Sequence, residues 1–277
     1  MKMDKNLINE IMNIANSMRK DIIVMTFNNK TYGSHLGGGM SATDILAVLY
    51  TQIMRYDIDD PGWEKRDRFI MSKAHAVIAQ YAVLKHMGLL SQEEINRVNV
   101  GDPNLFEHPK MNLEKGIEFS GGSLGQGLPL GVGTALALRQ KGNYESRIYV
   151  MLGDGECDEG AIWEAAAFGS HYNLNNLTVI IDCNTLQNDG PTKNILSKDS
   201  MAERWKAFGY EVIDTDGHDI GSIYDAFMVK SDKPVAIVAH TIKGKGISFA
   251  ENVVDWHYNN LTKEQYDCAM KELEAQI

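Results

Sequence analysis

Apolar and polar positions along the chain follow two rhythms. Near the N-terminus Leu7, Ile8, Ile11, Met12, Ile14 and Ala15 recur three and four residues apart. That spacing predicts a helix over 6–19. The run Gly33-Ser34-His35-Leu36-Gly37-Gly38-Gly39 reads as a glycine-rich turn. Ser41 is then placed to cap a helix to about residue 56, with Ile45, Leu46, Leu49 and Tyr50 on one face. The second rhythm is one of short apolar runs bounded by charge or turn residues. It predicts strands at 68–72, 148–152, 177–183, 211–214 and 235–239. Helical patterns lie between them at 77–87, 128–139, 159–172, 200–208 and 220–229, and Ser91 with Glu94 has capping-box spacing. Strand–helix alternation of this kind predicts an α/β fold: a mostly parallel sheet with helices on both faces.

No repeat, low-complexity tract or composition break divides the chain. The expectation is one domain over 1–277, with a small C-terminal extension from about 246 to 277. Residues 99–123 stand apart. They hold Gly101, Pro103, Pro109, Gly116, Gly121 and Gly122 and show no periodicity. So long a loop inside a compact domain points to function. It runs into a second glycine-rich turn, Gly121-Gly122-Ser123-Leu124-Gly125-Gln126-Gly127.

Composition narrows the classes. Apolar residues are 44% and charged residues 23% of 277, ordinary globular values. With 27 basic and 37 acidic residues the net charge is −10, and no basic patch stands out, which argues against nucleic acid as a partner. No apolar run reaches membrane-helix length and no secretory signal is visible, so the expected location is the cytoplasm. Cys157, Cys183 and Cys268 form no C-x-x-C pair, which removes a disulfide framework or a zinc site.

Ligands bind at the carboxyl ends of parallel strands. Just past the strand ending at Leu152 stands Gly153-Asp154-Gly155-Glu156, and the next strand ends at Asp182-Cys183-Asn184. If the two strands are neighbours, Asp154 and Asn184 emerge side by side as oxygen ligands for a hard cation such as Mg²⁺ or Ca²⁺. Gly155 allows close backbone approach to a phosphate, and the helix after it points its positive end there. A plain strand-to-helix turn uses the same residue types, so Gly-Asp-Gly alone is weak. The asparagine thirty residues on strengthens it. A P-loop is absent: Lys243-Gly244-Lys245-Gly246 has the wrong spacing, and 125–131 is not G-x-G-x-x-G.

Asp154 paired with Asn184 resembles the signature of thiamine-diphosphate enzymes. Further segments between Gly33 and His257 extend the likeness to the N-terminal half of transketolase. They are Gly33-Ser34-His35, Arg66-Asp67-Arg68-Phe69, Ser72-Lys73-Ala74-His75, Glu107-His108-Pro109, Gly122 to Gly127, Asp216-Gly217-His218, Thr241-Ile242-Lys243-Gly244 and Trp256-His257. The resemblance implies the thiamine-diphosphate-binding fold of the diphosphate (PP) type. It implies that Asp154, Asn184 and the carbonyl of Leu186 hold the metal against the diphosphate. It implies that His75, His257 and Lys243 contact the diphosphate with Gly155 and Glu156, and that Gly122, Ser123 and Leu124 lie along the rings. It implies further that His35 and His108 face the donor sugar, and that His35, His108 and His257 form the catalytic set. Glu159 matches an acidic residue at the family's subunit contact, although a carboxylate at a helix N-terminus explains it equally well. His86, His171 and His240 have no such setting, and His218 reads as structural. Two departures from the family pattern, Leu36 after the first histidine and Ala74 before the second, bear on loop geometry. Which side chain near Asn188 touches the thiazolium is left open.

Transketolase also has a pyrimidine-binding domain, and only 20 residues follow His257 here. The resemblance is therefore to the N-terminal subunit of a split transketolase. It implies a separate C-terminal subunit, two copies of each chain, and sugar phosphate substrates. Two other readings stay open. One is a deoxyxylulose-phosphate-synthase-like or 2-oxo acid dehydrogenase-like subunit. The other is a non-catalytic paralogue. The sugar-facing histidines oppose the first, and the intact Asp154 and Asn184 oppose the second.

Overall fold

The computed structural model describes residues 3–100, 104–196 and 200–276. Gly101 and Pro103 of the long loop lie outside the described residues. Five strands, β1 (Arg68–Met71), β2 (Ile148–Gly153), β3 (Leu177–Cys183), β6 (Glu211–Asp216) and β7 (Val235–His240), form one sheet in the order β1-β2-β3-β7-β6. Every neighbouring pair is parallel. A small antiparallel hairpin, β4 (Leu186–Gln187) with β5 (Gly190–Pro191), follows β3.

Alternation along the strands sends side chains to two cores. Phe69, Met71, Tyr149, Met151, Ile180 and Ala239 face one, while Ile70, Ile148, Val150, Val179, Ile181 and Val238 face the other. Both faces are buried, which is why the strands read as continuous apolar runs. The first core is covered by α1 (Lys5–Asn28), α2 (Leu36–Val48), α3 (Val77–His86), α4 (Gln92–Asn96), α9 (Ile220–Phe227) and α10 (Lys263–Glu274). The second is covered by α5 (Gly127–Gln140), α6 (Gly160–His171) and α8 (Met201–Ala207). A single turn, α7 (Thr192–Ile195), follows β5. The capping box at Ser91 and Glu94 is formed. Within 246–277, α10 packs on α1: Ala269 and Leu273 are buried, and Asn16 Nδ2 donates to the Leu273 carbonyl at 2.8 Å.

Three helical boundaries differ clearly from expectation. The helix expected to about residue 56 ends at Val48 and gives way to a π-helical stretch over Leu49–Ile53. The first helix runs on to Asn28 because Ile22, Ile23 and Met25 are buried beyond Arg19. The run Leu36–Gly39 is helix, not turn, and Ser41 lies inside α2 instead of capping it. All of α2 is buried. A Cβ at Gly39 would sit 2.8 Å from Ile78 Cγ1, and one at Gly37 2.8 Å from Lys243 Cγ. The glycines let a helix pass between neighbours too close for side chains, a packing need that outweighs their low helix propensity.

Candidate active site

Gly153 of β2 pairs with Asp182 of β3, so Asp154 and Asn184 leave adjacent strands side by side, both buried. Asp154 Oδ1 accepts from the Gly155 N–H at 2.9 Å and Oδ2 from the Thr185 N–H at 2.8 Å. Asn184 Oδ1 accepts from the Leu186 N–H at 3.2 Å. Thr185 has φ 64, a left-handed conformation that turns the chain into the β4–β5 hairpin beside Asp154.

A cavity of about 480 Å³ opens at these strand ends. Its walls bring together His35, His75, His108, Gly122, Leu124, Asp154, Gly155, Glu156, Asn184, Leu186, Lys243 and His257. They come from segments spread over more than 200 residues of sequence. Glu159, Asn188 and Asp189 also line it, Glu159 from the N-terminal end of α6. Ser123 does not line the cavity and is exposed. His218 lies elsewhere: its Nδ1 meets Asp44 at 2.7 Å and its Nε2 accepts the Ile242 N–H at 2.8 Å. His240 is exposed beside Asp214.

The imidazoles form one cluster. The His35 ring centroid lies 5.0 Å from that of His75, 5.3 Å from that of His257 and 6.2 Å from that of His108. Burial, with His35 and the Lys73 ammonium close by, holds His75 well below the ordinary imidazole range. Burial and the adjacent Lys243 press His257 down to about 3, so its Nδ1 accepts from Lys243 Nζ at 2.6 Å. Burial and the nearby Lys73 push Lys243 itself down to about 8.

Beneath the cavity Asp182 is fully buried and paired with Lys73. Ser41 Oγ donates to it at 2.5 Å, Thr241 Oγ1 also donates, and Asn184 Nδ2 donates at 3.3 Å. Burial alone would raise this carboxyl; the Lys73 charge and these donors outweigh it and leave its pKa lowered. Glu156 ties the glycine-rich turn to the sheet. Its Oε1 accepts from Ser72 Oγ at 2.5 Å and the Gly125 N–H at 2.9 Å, and its Oε2 from the Gly153 N–H at 3.1 Å. Burial still raises its pKa against those bonds.

The donor set suits a hard cation: one carboxylate, one amide oxygen and the Leu186 carbonyl. Lys243 Nζ already donates to that carbonyl at 3.0 Å, so a positive group is accommodated at one of the three oxygens. A Cβ at Gly155 would lie 2.4 Å from Gln187 Oε1, which keeps the backbone there bare. Lys73, Lys243, His75 and His257 crowd the same walls, and Lys243, His75 and His257 are held down there, an arrangement that an anion such as a diphosphate would relieve.

The model of the family described as "Transketolase, thiamine diphosphate binding domain" matches residues 12–275. The chain belongs to this family. It is 40% identical over 263 residues to one subunit of an apulose-4-phosphate transketolase from Phocaeicola vulgatus, covering 94% of this chain and 92% of that protein. It is 38% identical over 265 residues to a 6-deoxy-6-sulfo-D-fructose transketolase subunit of a Clostridium species, covering 95% of each. Transketolase from Leishmania mexicana superposes with a TM-score of 0.88 at 29% identity, over 95% of this chain. The chain spans about two fifths of that solved transketolase, 41% of its length.

Within this transketolase fold, sequence reasoning passes over three charged side chains at the cavity or bonded to its walls. Lys73 stands in the sequence only as part of a family-like segment, yet its ammonium is buried and bonds both Asp182 and the Gly38 carbonyl, at 3.0 Å in the latter case. The available signal is a lysine directly after a strand's carboxyl end. Asp182 is visible as a polar residue closing an apolar strand. Glu107 beside His108 is signalled only by an acid within a loop of functional character.

Proposed function

We propose that the protein is the diphosphate-binding subunit of a two-chain transketolase. It transfers a two-carbon ketol unit from a ketose phosphate, or a related ketose, to an aldose, using Mg²⁺ (or Ca²⁺) and thiamine diphosphate. One observation carries this reading: Asp154, Asn184 and Leu186 line one cavity together with four imidazoles, in a chain matching transketolase subunits over nearly their whole length.

Asp154, Asn184 and the Leu186 carbonyl would hold the metal. Lys243, His75 and His257, with the Gly155 backbone, would hold the diphosphate. Thiamine diphosphate supplies carbanion-stabilising chemistry when bound. Glu156 fixes the glycine-rich turn at Gly125, and Gly122–Leu124 of that turn would lie along the cofactor's rings. His35 and His108 bind donor hydroxyls and exchange protons with them, and His257 adds a neutral imidazole to that set. The relatives named for apulose 4-phosphate and for 6-deoxy-6-sulfo-D-fructose widen the candidate donors to branched and sulfonated sugars.

The pyrimidine-binding part would come from a separate subunit. With thiamine diphosphate and Mg²⁺, the chain alone is expected to show no ketol transfer, and adding the partner chain to produce it. The assay supplies a five-carbon ketose phosphate, a branched ketose phosphate or a sulfonated ketose with an aldose acceptor. Turnover by the chain alone overturns the split arrangement; no turnover with the partner and every donor overturns the transketolase reading.

A further inference from the structure

His35 stands at the N-terminus of α2 on the cavity wall, its side chain 13% exposed. Its Nδ1 lies 2.7 Å from Glu107 Oε1, and the same oxygen accepts the His35 backbone N–H at 2.5 Å. Glu107 Oε2 accepts from Asn99 Nδ2 at 3.3 Å, while Asn99 Oδ1 accepts the Glu107 backbone N–H at 2.6 Å. Asn99 holds φ 62 to make this two-way clasp, a conformation that asparagine tolerates better than most residues.

Glu107 is 7% exposed. Burying a carboxylate is unfavourable unless its oxygens find donors, and each of these three contacts supplies one. An ionised carboxylate only accepts, so His35 Nδ1 carries the proton and donates it. The neutral ring then keeps its lone pair on Nε2. The ring neighbours of His35 are the imidazoles of His75, His108 and His257 and the phenol of Tyr258. Lys243 stands one step further away, behind His257. Glu107 therefore sets a negative charge against a cluster of rings and a lysine. A carboxylate that merely capped α2 would need the backbone bond and not the one to Nδ1.

We propose that Glu107 is a positioning residue for His35, fixing the Nδ1–H tautomer so that Nε2 accepts a proton from a hydroxyl of the donor sugar. This rests on the transketolase reading above. In the step, the hydroxyl O–H bond breaks, its electron pair stays on oxygen, and the proton bonds to Nε2. The imidazolium so formed is stabilised by the Glu107 carboxylate 2.7 Å from Nδ1. The same proton returns from Nε2 to oxygen when the ketol unit reaches the acceptor, so no other reactant is consumed.

Glu107→Gln keeps an oxygen for both His35 donors and removes the charge. In the full chain, imidazole nitrogen-15 shifts, assigned with His35→Gln, are expected to show neutral His35 bearing its proton on Nδ1. In Glu107→Gln the His35 titration midpoint is expected at lower pH, because the anion that favours the imidazolium is gone. In the assembly with the partner chain, kcat of Glu107→Gln is expected to fall about 10- to 100-fold with little change in donor KM. The acid limb of its pH profile moves to lower pH, and Glu107→Asp recovers part of the loss. A His35 proton on Nε2, or a Glu107→Gln enzyme with wild-type kcat and pH profile, overturns the proposal. If the wild-type assembly transfers no ketol unit, the transketolase reading fails, and the nitrogen shifts alone decide the Glu107–His35 pair.

Discussion

Asp154 and His108 stand on the same cavity wall and should fail in different ways. Two backbone N–H groups already orient the Asp154 carboxylate, one at the GDG turn and one at Thr185. Asp154→Ala removes the charged oxygen proposed to hold the metal without enlarging either hydrophobic core. The expected outcome is a folded chain that no longer binds thiamine diphosphate with Mg²⁺ in calorimetric titration of the assembled protein. His108 belongs to the long loop and shares no hydrogen bond with the expected metal ligands among the described residues. His108→Ala should lower turnover by about 10²–10⁴ and leave cofactor affinity nearly unchanged. Lost cofactor binding with normal turnover would move His108 to the cofactor half of the site.

Three elements meet at Asp44. Arg19 of α1 donates to its Oδ2 at 2.6 Å, and His218, from the turn between β6 and α9, meets the same oxygen at 2.7 Å. His218 in turn holds the Ile242 N–H, next to Lys243 of the cavity and to Thr241, which donates to Asp182 beneath it. Burial would raise the Asp44 pKa, but the Arg19 charge and the His218 bond prevail and lower it below the ordinary 3.8. A folded pKa below the unfolded one stabilises at every pH above the unfolded value, and that contribution fades as pH falls through the folded one. Asp44→Asn leaves Arg19 buried without its counter-charge, at a cost of about 3–5 kcal/mol near neutrality. Urea denaturation at pH 7 and at pH 3 should show a wide gap between the two proteins at the first and a narrower one at the second. An equal gap at both would mean that the ion pair contributes nothing.

The cavity opens at one end of the sheet, and large apolar side chains stand exposed on the helices of the second face. Leu130 of α5 is 42% exposed and Phe168 of α6 is 44% exposed. Patches of this kind mark interfaces. A two-fold assembly of two copies of this chain with two of the pyrimidine-domain chain is the expected form. Sedimentation of the mixed chains should give that mass, and Leu130→Glu with Phe168→Glu should weaken association while the isolated chain stays folded. Unchanged association in the double variant would move the interface elsewhere. Among the described residues no helix is long and apolar enough to cross a membrane.

The linear pattern determined the elements whose environment is uniform. β3 is buried on both faces over its whole length, so Leu177–Cys183 was legible to the residue as an apolar run. Asp154 and Asn184 were legible because strand ends are marked by an abrupt change from apolar to polar, and parallel pairing sets such ends side by side. Tertiary structure decided what depended on distant neighbours. Gly37–Gly39 lie in helix with Lys243 and Ile78 standing where side chains at 37 and 39 would go, a packing that no local preference encodes. Glu107 met His35 across 72 residues, and Lys73 met Asp182 across 109. Pairing of charges in a cavity depends on where separate loops end in space, and side-chain periodicity records only which face of its own element a residue occupies.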